Sequence, residues 1–388
     1  MGELAARYRD EFPVKQERVY FNHAGIGPLP RRAAEAAQRV LQEQLTGGAS
    51  AANYRTWTEG VTQTREALAK LTRAAPEEIA FVKNTTSGLF IAAGSIPWKD
   101  GDNVVTTAVE FPANVYPWLG LERQGVETRF VGLRDGCLHM DDLAATMDRR
   151  TRAVAVSWVQ FSNGYRADLG KLSQLCRDHG CYLVLDAIQG LGALRLDLSR
   201  YAVDFAAADG HKWLLSVEGC GMMYVRRQIL DELVPCHIGW MGVQNAMDFL
   251  NYQLTPLPDA RRFEEGSQNI AGLHALGAAA GLFLEAGPAQ VEAEIMALTD
   301  VLMERLEQAG CLITSPRGPG ARSGIVTCQH PQVPAGELVR QLIERGVQCA
   351  ERAGAVRFSP HFYNDEEEVE RAVALVREAA AAAPAGDS

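Results

Sequence analysis

Through the middle of the chain, short apolar runs rich in β-branched residues alternate with stretches of helical spacing. The runs "NVVTTAV" (103–109), "ETRFVGL" (127–133), "AVAVSWV" (153–159), "YLVLDAI" (182–188), "FAAAD" (205–209) and "GMMYVR" (221–226) read as strands. Between them lie helices such as "DLGKLSQLCRDHG" (168–180), where Leu169, Leu172 and Leu175 keep one face and Gly180 closes the end. Strands that are apolar almost throughout, alternating with helices, belong to a mostly parallel sheet covered on both faces. An α/β core from about residue 50 to about 245 follows from this pattern.

The C-terminal third has another rhythm. A long amphipathic helix is expected over 289–310, a strand over 322–330, a helix over 335–346, a strand over 355–360 and a last helix over 365–383. The acidic first turn of the last helix suits its dipole. This is the pattern of a smaller α+β domain, and the terminal "PAGDS" is expected to fray.

Charge and composition narrow the function. Of 388 residues, 47% are hydrophobic and 22% charged, which is ordinary for a water-soluble globular chain. The formal net charge is −10, which disfavours nucleic acid or an anionic membrane as the main partner. No apolar run reaches the roughly 20 residues of a membrane span, and the first twenty residues lack the apolar core of a secretory signal. The eight cysteines are scattered without CxxC pairs, so they are expected to be reduced thiols of a cytoplasmic protein.

Four polar features interrupt this apolar background. In "AADGHKWLL" (207–215), Lys212 stands just past a strand, where a strongly hydrated ammonium is costly unless it has a task. A surface loop explains such a lysine equally well in isolation; the chemical reading is an amine held in a pocket so that it can form an imine. Asp186 ends the strand "YLVLD", and the carboxyl end of a parallel strand faces the crevice where α/β sheets bind ligands. Asp186 and Lys212 are 26 residues apart, room for a loop, a short helix and the neighbouring strand. A carboxylate and an imine-forming lysine are the two groups that pyridoxal phosphate needs, the first to keep its ring nitrogen protonated. In "FVKNTTSGLF" (81–90), Asn84, Thr85, Thr86 and Ser87 open a helix. They serve as ordinary caps or as an anion site. Phe111, in "TAVEFPANVYPW" (107–118), follows a strand and is either a core aromatic or a platform for a flat ring. No glycine-rich nucleotide-binding motif is present.

Together, "FVKNTTSG", "VEFPANVYPW", "LVLDAIQG", "ADGHKWLLSVEGCG" and "RRFEEGSQN" resemble the class V aminotransferase family of fold-type I pyridoxal-phosphate enzymes, which includes cysteine desulfurases, kynureninases and isopenicillin-N-epimerase-like proteins. The resemblance runs from "YFNHAGIGPLP" (20–30) to "SPHFYNDEEEVERAV" (359–373). It implies a large α/β domain over 20–280 with a mostly parallel sheet sandwiched by helices, and a small α+β domain from 1–19 and 281–388. Lys212 would carry pyridoxal 5'-phosphate as an imine and Asp186 would face its ring nitrogen. Gln189 would meet its phenolic oxygen, and Thr85, Thr86 and His211 would hold its phosphate. Phe111 stands where many relatives have a stacking histidine, and Gln160 and Asp209 complete the cofactor-binding set. Ser267 would reach the phosphate from a second subunit, making the active form a homodimer with shared sites. Arg357 would clamp the carboxylate of an amino-acid substrate, a role suited to its two-pronged donor geometry.

Two departures shape the expected activity. Cysteine desulfurases carry a nucleophilic cysteine on a loop shortly before the matching arginine. Here "GVQCAERAGAVR" is short, and Cys349 falls in a strand-like stretch. Phenylalanine at 111 also removes an acid–base group. The expected activity is therefore amino-group transfer, ahead of a C–S or C–C lyase, ahead of an epimerase. A binding or scaffold subunit that kept only the fold is the non-enzymatic alternative, and retention of Lys212, Asp186 and Arg357 together speaks against it.

Overall fold

The computed structural model describes residues 2–318 and 320–383, so the C-terminal "PAGDS" expected to fray lies outside the described residues. Seven strands build the main sheet. In chain order they are β1 (Ile79–Val82), β2 (Asn103–Thr107), β3 (Glu127–Val131), β4 (Thr151–Ser157), β5 (Tyr182–Asp186), β6 (Phe205–Asp209) and β7 (Gly221–Val225). Their spatial order is β1-β7-β6-β5-β4-β2-β3. All neighbours are parallel except at β7, which runs antiparallel to both β1 and β6. The six predicted strands are thus present, and the structure is a mixed α/β fold with a large, mostly parallel sheet flanked by helices.

The near-continuous apolar strands follow from burial on both faces. Along β5, Leu183 and Leu185 join one hydrophobic cluster, with Val154, Val156, Ala206 and Ala208 from the neighbouring strands. Tyr182 and Val184 join the cluster on the opposite face, with Ala153, Ala155, Phe205 and Ala207. Alternate residues pointing to opposite faces therefore both need apolar side chains.

Helices α1 (Arg31–Gly47), α2 (Ala51–Thr72), α3 (Thr85–Ser95), α4 (Leu169–His179) and α5 (Ile270–Ala286) belong to this layer, with α5 packed against α1 and α2. α4 has the predicted bounds: Asp168 accepts the Lys171 N–H at 3.1 Å, and Gly180 ends the helix in the left-handed region at φ 65°. Its inner face is completed by Cys176 rather than Leu175. The eight cysteines are free thiols; Cys176 and Cys181 are buried while His179 is exposed. Among the described residues no single helix is long and apolar enough to cross a membrane.

The C-terminal region forms helices α6 (Pro288–Gln308), α7 (Ala335–Glu344) and α8 (Glu366–Ala382) around an antiparallel sheet. Its strands are β8 (Leu312–Ile313), β9 (Val326–Gln329), β10 (Ala350–Arg352) and β11 (Ala355–Phe358), ordered β10-β11-β9-β8. The strand expected over 322–330 is shorter at its start. There the Ser323 hydroxyl donates to the Gly164 carbonyl at 2.7 Å, and Gly324 packs against the Trp213 ring, so both leave the ladder. Near the N-terminus, Val19–Tyr20 pairs in parallel with Val347–Gln348, which carries residues 20–24 across to the main sheet.

Two glycines let the backbone close around the Lys212 segment. A Cβ on Gly27 would lie 2.3 Å from the Lys212 carbonyl oxygen, and one on Gly192 would lie 2.2 Å from the Trp213 carbonyl oxygen. Gly192 also has φ 102°, where a side chain is strained. Gly192→Ala is expected to cost roughly 1–3 kcal/mol of stability, because the clash is with fixed backbone. Chemical denaturation measures it; an unchanged midpoint would show that the Trp213 segment yields freely.

Candidate active site

The carboxyl ends of β4, β5 and β6 lie side by side. Ser157 is in register with Asp186, and Asp186 with Ala207. After Asp209 the chain turns back, with the Ser216 N–H donating to the Gly210 carbonyl at 2.8 Å and Leu215 at φ 55°. Lys212 sits in this turn, and its neighbour Trp213 is tied on two sides. The Trp213 indole donates to Gln189 Oε1 at 2.9 Å, and Gln189 Nε2 donates to the Ala24 carbonyl at 3.0 Å. His361 Nε2 lies 3.0 Å from the Trp213 carbonyl, while His361 Nδ1 accepts the Phe362 N–H at 2.9 Å. That second contact fixes the tautomer: Nε2 carries the proton and donates it. Burial pulls the His361 pKa down to about 3, so the ring is neutral at ordinary pH.

A cavity of about 530 Å³ opens over these strand ends. Thr85, Thr86, Phe111, Asp186, Gln189, Asp209, His211, Lys212 and Arg357 all line it. Phe111 is 44% exposed, its ring centroid is 5.4 Å from Lys212 Nζ, and it meets Phe161 edge-on at 5.3 Å. An aromatic this open toward the cavity is not a core residue. The N-terminus of α3 faces the same space; Asn84 caps it by accepting the Ser87 N–H at 2.9 Å, and the buried Thr85 hydroxyl accepts the Asp209 N–H at 3.0 Å. His211 Nδ1 lies 3.0 Å from Asp209 Oδ2.

The charges in this cavity are poorly neutralised by the chain itself. Asp186 is buried and accepts the Ile188 N–H at 3.0 Å. Burial raises its pKa to about 7; Glu110 pushes in the same direction, while the Ile188 N–H and Lys212 oppose it. Burial also lowers the Lys212 pKa to about 8, with Asp186 and Asp209 opposing and Arg357 and Arg352 reinforcing the shift. Arg357 is 1% exposed. It donates to the Phe161 carbonyl at 2.8 Å and reaches Asn22 Oδ1 only at 3.5 Å, and its buried Nε has no partner. Burial, and then Arg352, pull its pKa to about 9, so the guanidinium remains charged at neutral pH while no carboxylate among the described residues pairs with it.

Two expected residues lie outside the cavity lining. Gln160 is behind the wall, donating to Glu110 Oε1 at 2.8 Å, with its own Oε1 buried and unpartnered. Ser267 lines a separate hollow of about 90 Å³ with Lys83, Ser87 and Glu265. Glu110, by contrast, stands beside the site although no motif marks it. This buried carboxylate accepts from Thr107 Oγ1 at 2.8 Å, from the Ser157 N–H at 3.0 Å and from the Ser157 hydroxyl. Its signal was available: a glutamate just past the apolar run 103–109, much as Asp186 closes the apolar run of β5. Tyr20, Asn22, Gln348 and Arg352 also line the cavity, brought there by strand pairings that no local pattern announces.

An amine able to lose its proton near neutrality, a buried carboxylate and an uncompensated guanidinium now share one space. That donor set suits a phosphorylated pyridine aldehyde at the Asp186–Lys212 end and a carboxylate at the Arg357 end. Comparison with known proteins agrees. A family model described as aminotransferase class-V matches residues 19–372. An uncharacterized aminotransferase, YcbU, of Bacillus subtilis is 26% identical over 376 residues, covering 96% of this chain and 97% of that protein. A probable cysteine desulfurase of Pyrococcus abyssi is 29% identical over 392 residues, covering 95% and 96%. Among solved structures, the apo cysteine desulfurase from Thermococcus onnurineus NA1 superposes with a TM-score of 0.87 at 25% identity, covering 96% of this chain and 97% of that one. The cystine C–S lyase C-DES, in complex with its product cysteine persulfide, gives 0.88 at 26% identity, covering 95% and 99%. With its motifs, its sheet and its cavity all in agreement, the chain belongs to the class-V aminotransferase family of pyridoxal-phosphate-dependent enzymes.

Proposed function

We propose that this enzyme removes the amino group of an amino acid and transfers it, with Lys212, Asp186 and Arg357 as its catalytic residues. The observation that carries the substrate class is the buried Arg357, whose unpartnered Nε and missing counter-anion call for a carboxylate. Lys212 would hold the cofactor, Asp186 would face its ring nitrogen, and the N-terminus of α3 with Thr85, Thr86 and His211 would hold its phosphate. Bound there, pyridoxal phosphate supplies an electron sink for the bond broken at the substrate's Cα. Arg357 fixes the substrate by its carboxylate. The Lys212 amine, when free, would take the Cα proton, and a pKa near 8 lets it do so close to neutral pH. Phe111, in the cavity wall beside Lys212, would pack against the cofactor but has no proton to give, so Lys212 is the only acid–base group assigned at Cα.

A thiol mechanism has little support. No cysteine lines the cavity. Cys349 lies not within a strand but in the one-residue break between Val347–Gln348 and β10, buried in the hydrophobic core of the C-terminal region, and burial pushes its thiol up to about 12, whereas a nucleophilic cysteine needs exposure and a lowered pKa. The likeness to C-DES, a cystine C–S lyase, favours one second reading, a C–S lyase. Ser267 lies off the Lys212 cavity, which fits the homodimer expected from its role at a partner's phosphate. Eight free thiols fit a cytoplasmic setting.

Three outcomes are expected. Borohydride reduction followed by mass spectrometry should place the cofactor on Lys212. Lys212→Ala should fold without covalent attachment, and the rate of attachment to the cofactor-free parent should rise with pH through about 8 as the neutral amine grows; an adduct on Lys83 or Lys171 sinks the assignment. Asp186→Asn should retain the cofactor while turnover falls by orders of magnitude, since an amide cannot keep the ring nitrogen protonated; near-normal turnover would give the carboxylate another task. Finally, with a panel of amino acids under single-turnover conditions, the parent and Cys349→Ser should both release a 2-oxo acid and leave the amino group on the cofactor. Release of ammonia and a 2-oxo acid together with sulfide or persulfide from the parent identifies the lyase instead; conversion of cysteine to alanine with its sulfur left on the protein as a persulfide, lost in Cys349→Ser alone, identifies a thiol-dependent desulfurase.

A further inference from the structure

The β10–β11 hairpin presents two arginines to the cavity. Ala350 is paired with Arg357 and Arg352 with Ala355. Directly paired residues share a face, and so do residues two apart on one strand. Arg352 and Arg357 therefore project from the same face as diagonal neighbours, with only the small Ala350 and Ala355 beside them, and both line the cavity that holds Lys212. Such diagonal pairs are ~7–8 Å apart at their backbones, within reach of one small ligand for side chains this long.

Neither guanidinium has a carboxylate partner among the described residues. Arg352 donates to the carbonyl of its neighbour Glu351 at 2.6 Å, and Arg357 to the Phe161 carbonyl. The Glu351 side chain points the other way, toward Gly336 at the start of α7. The acids that do line the cavity, Asp186 and Asp209, sit at the strand ends of the main sheet and already accept the Ile188 and Gly210 N–H groups. Two like charges on one face of a hairpin repel each other unless anions lie between them and the cavity. One α-carboxylate answers Arg357 and leaves Arg352 unanswered.

We propose that Arg352 is a specificity-determining residue that binds a second acidic group, so that the substrate is an amino acid whose side chain ends in an acid. This rests on the reading of Arg357 as the α-carboxylate clamp. The α-carboxylate lies on the buried Arg357, the distal acid on the more exposed Arg352 at the mouth, and the amino group toward Lys212.

The test titrates the cofactor-loaded protein with glutamate against glutamine and aspartate against asparagine, following the cofactor's absorbance. The parent should bind at least one acid about ten-fold tighter than its own amide, the order of one charged pair. In Arg352→Gln that acid-to-amide ratio should collapse toward one, while Arg357→Ala should weaken acid and amide together and keep the ratio. A ratio near one in the parent, or a ratio unchanged in Arg352→Gln, overturns the proposal; equal weakening of acid and amide in Arg352→Gln assigns both arginines to the α-carboxylate and overturns it too. Calorimetry with glutarate against its monoamide asks the same question of ligands that lack an amine. The diacid should bind the parent more tightly and lose that advantage in Arg352→Gln. A parent that takes up no pyridoxal phosphate would defeat the wider reading of the site, and the glutarate comparison would still decide for or against Arg352.

Discussion

The cost of burying charge governs this molecule. Lys212, Asp186 and Arg357 stand around one cavity, and burial is the largest influence on each of their pKa values. It lowers the two cations and raises the acid, the direction in which desolvation always works. The chain does not relieve this by pairing them tightly. Unsatisfied charge in a fixed cavity is stored binding capacity for a ligand that brings the complementary groups.

Such capacity is kept only if the scaffold cannot relax around it. The Lys212 turn is fastened by Gln189, by the Gly27 N–H on the His211 carbonyl at 2.7 Å, and by neutral His361 on the Trp213 carbonyl. Gly27 and Gly192 permit those approaches because they lack a Cβ. The same strip of backbone links the two regions: His23 reaches the Ser359 carbonyl at 2.7 Å, and the Ser359 N–H donates to the Phe21 carbonyl at 2.8 Å. Arg357 is thereby held to the main sheet through hydrogen bonds as well as through packing. Glu110 plays a similar part behind Asp186, joining β2, β4 and the loop after β2.

The division of the cavity follows from the two sheets that build it. The parallel sheet contributes acids and an amine at its carboxyl edge, where strand ends leave groups facing the crevice. The antiparallel hairpin contributes only cations. Under the proposed reading, the groups assigned to the cofactor and those assigned to the substrate thus come from separate structural sources. Cys349 falls in the one-residue break between Val347–Gln348 and β10, and its side chain packs into the core of the C-terminal region.

Local patterning determined the strands, the helix ends and the class of the fold, because burial on both faces writes apolar residues at nearly every strand position and caps write Asp and Gly at fixed offsets. It also exposed Asp186 and Lys212, since a charge at the end of an apolar run is conspicuous on a single sequence. Thr85 and Phe111 were visible but ambiguous, and only the cavity distinguished a ligand-facing hydroxyl and aromatic from a cap and a core residue. Asn22, Arg352 and the partnership of Glu110 with Ser157 were decided by tertiary structure alone. Their places depend on which strands pair and in what register: Val19 beside Val347, Ala350 opposite Arg357, Ser157 level with Asp186. Register joins residues hundreds of positions apart, and no local periodicity encodes it; the fold had to bring the two sheets together before their charges became one site.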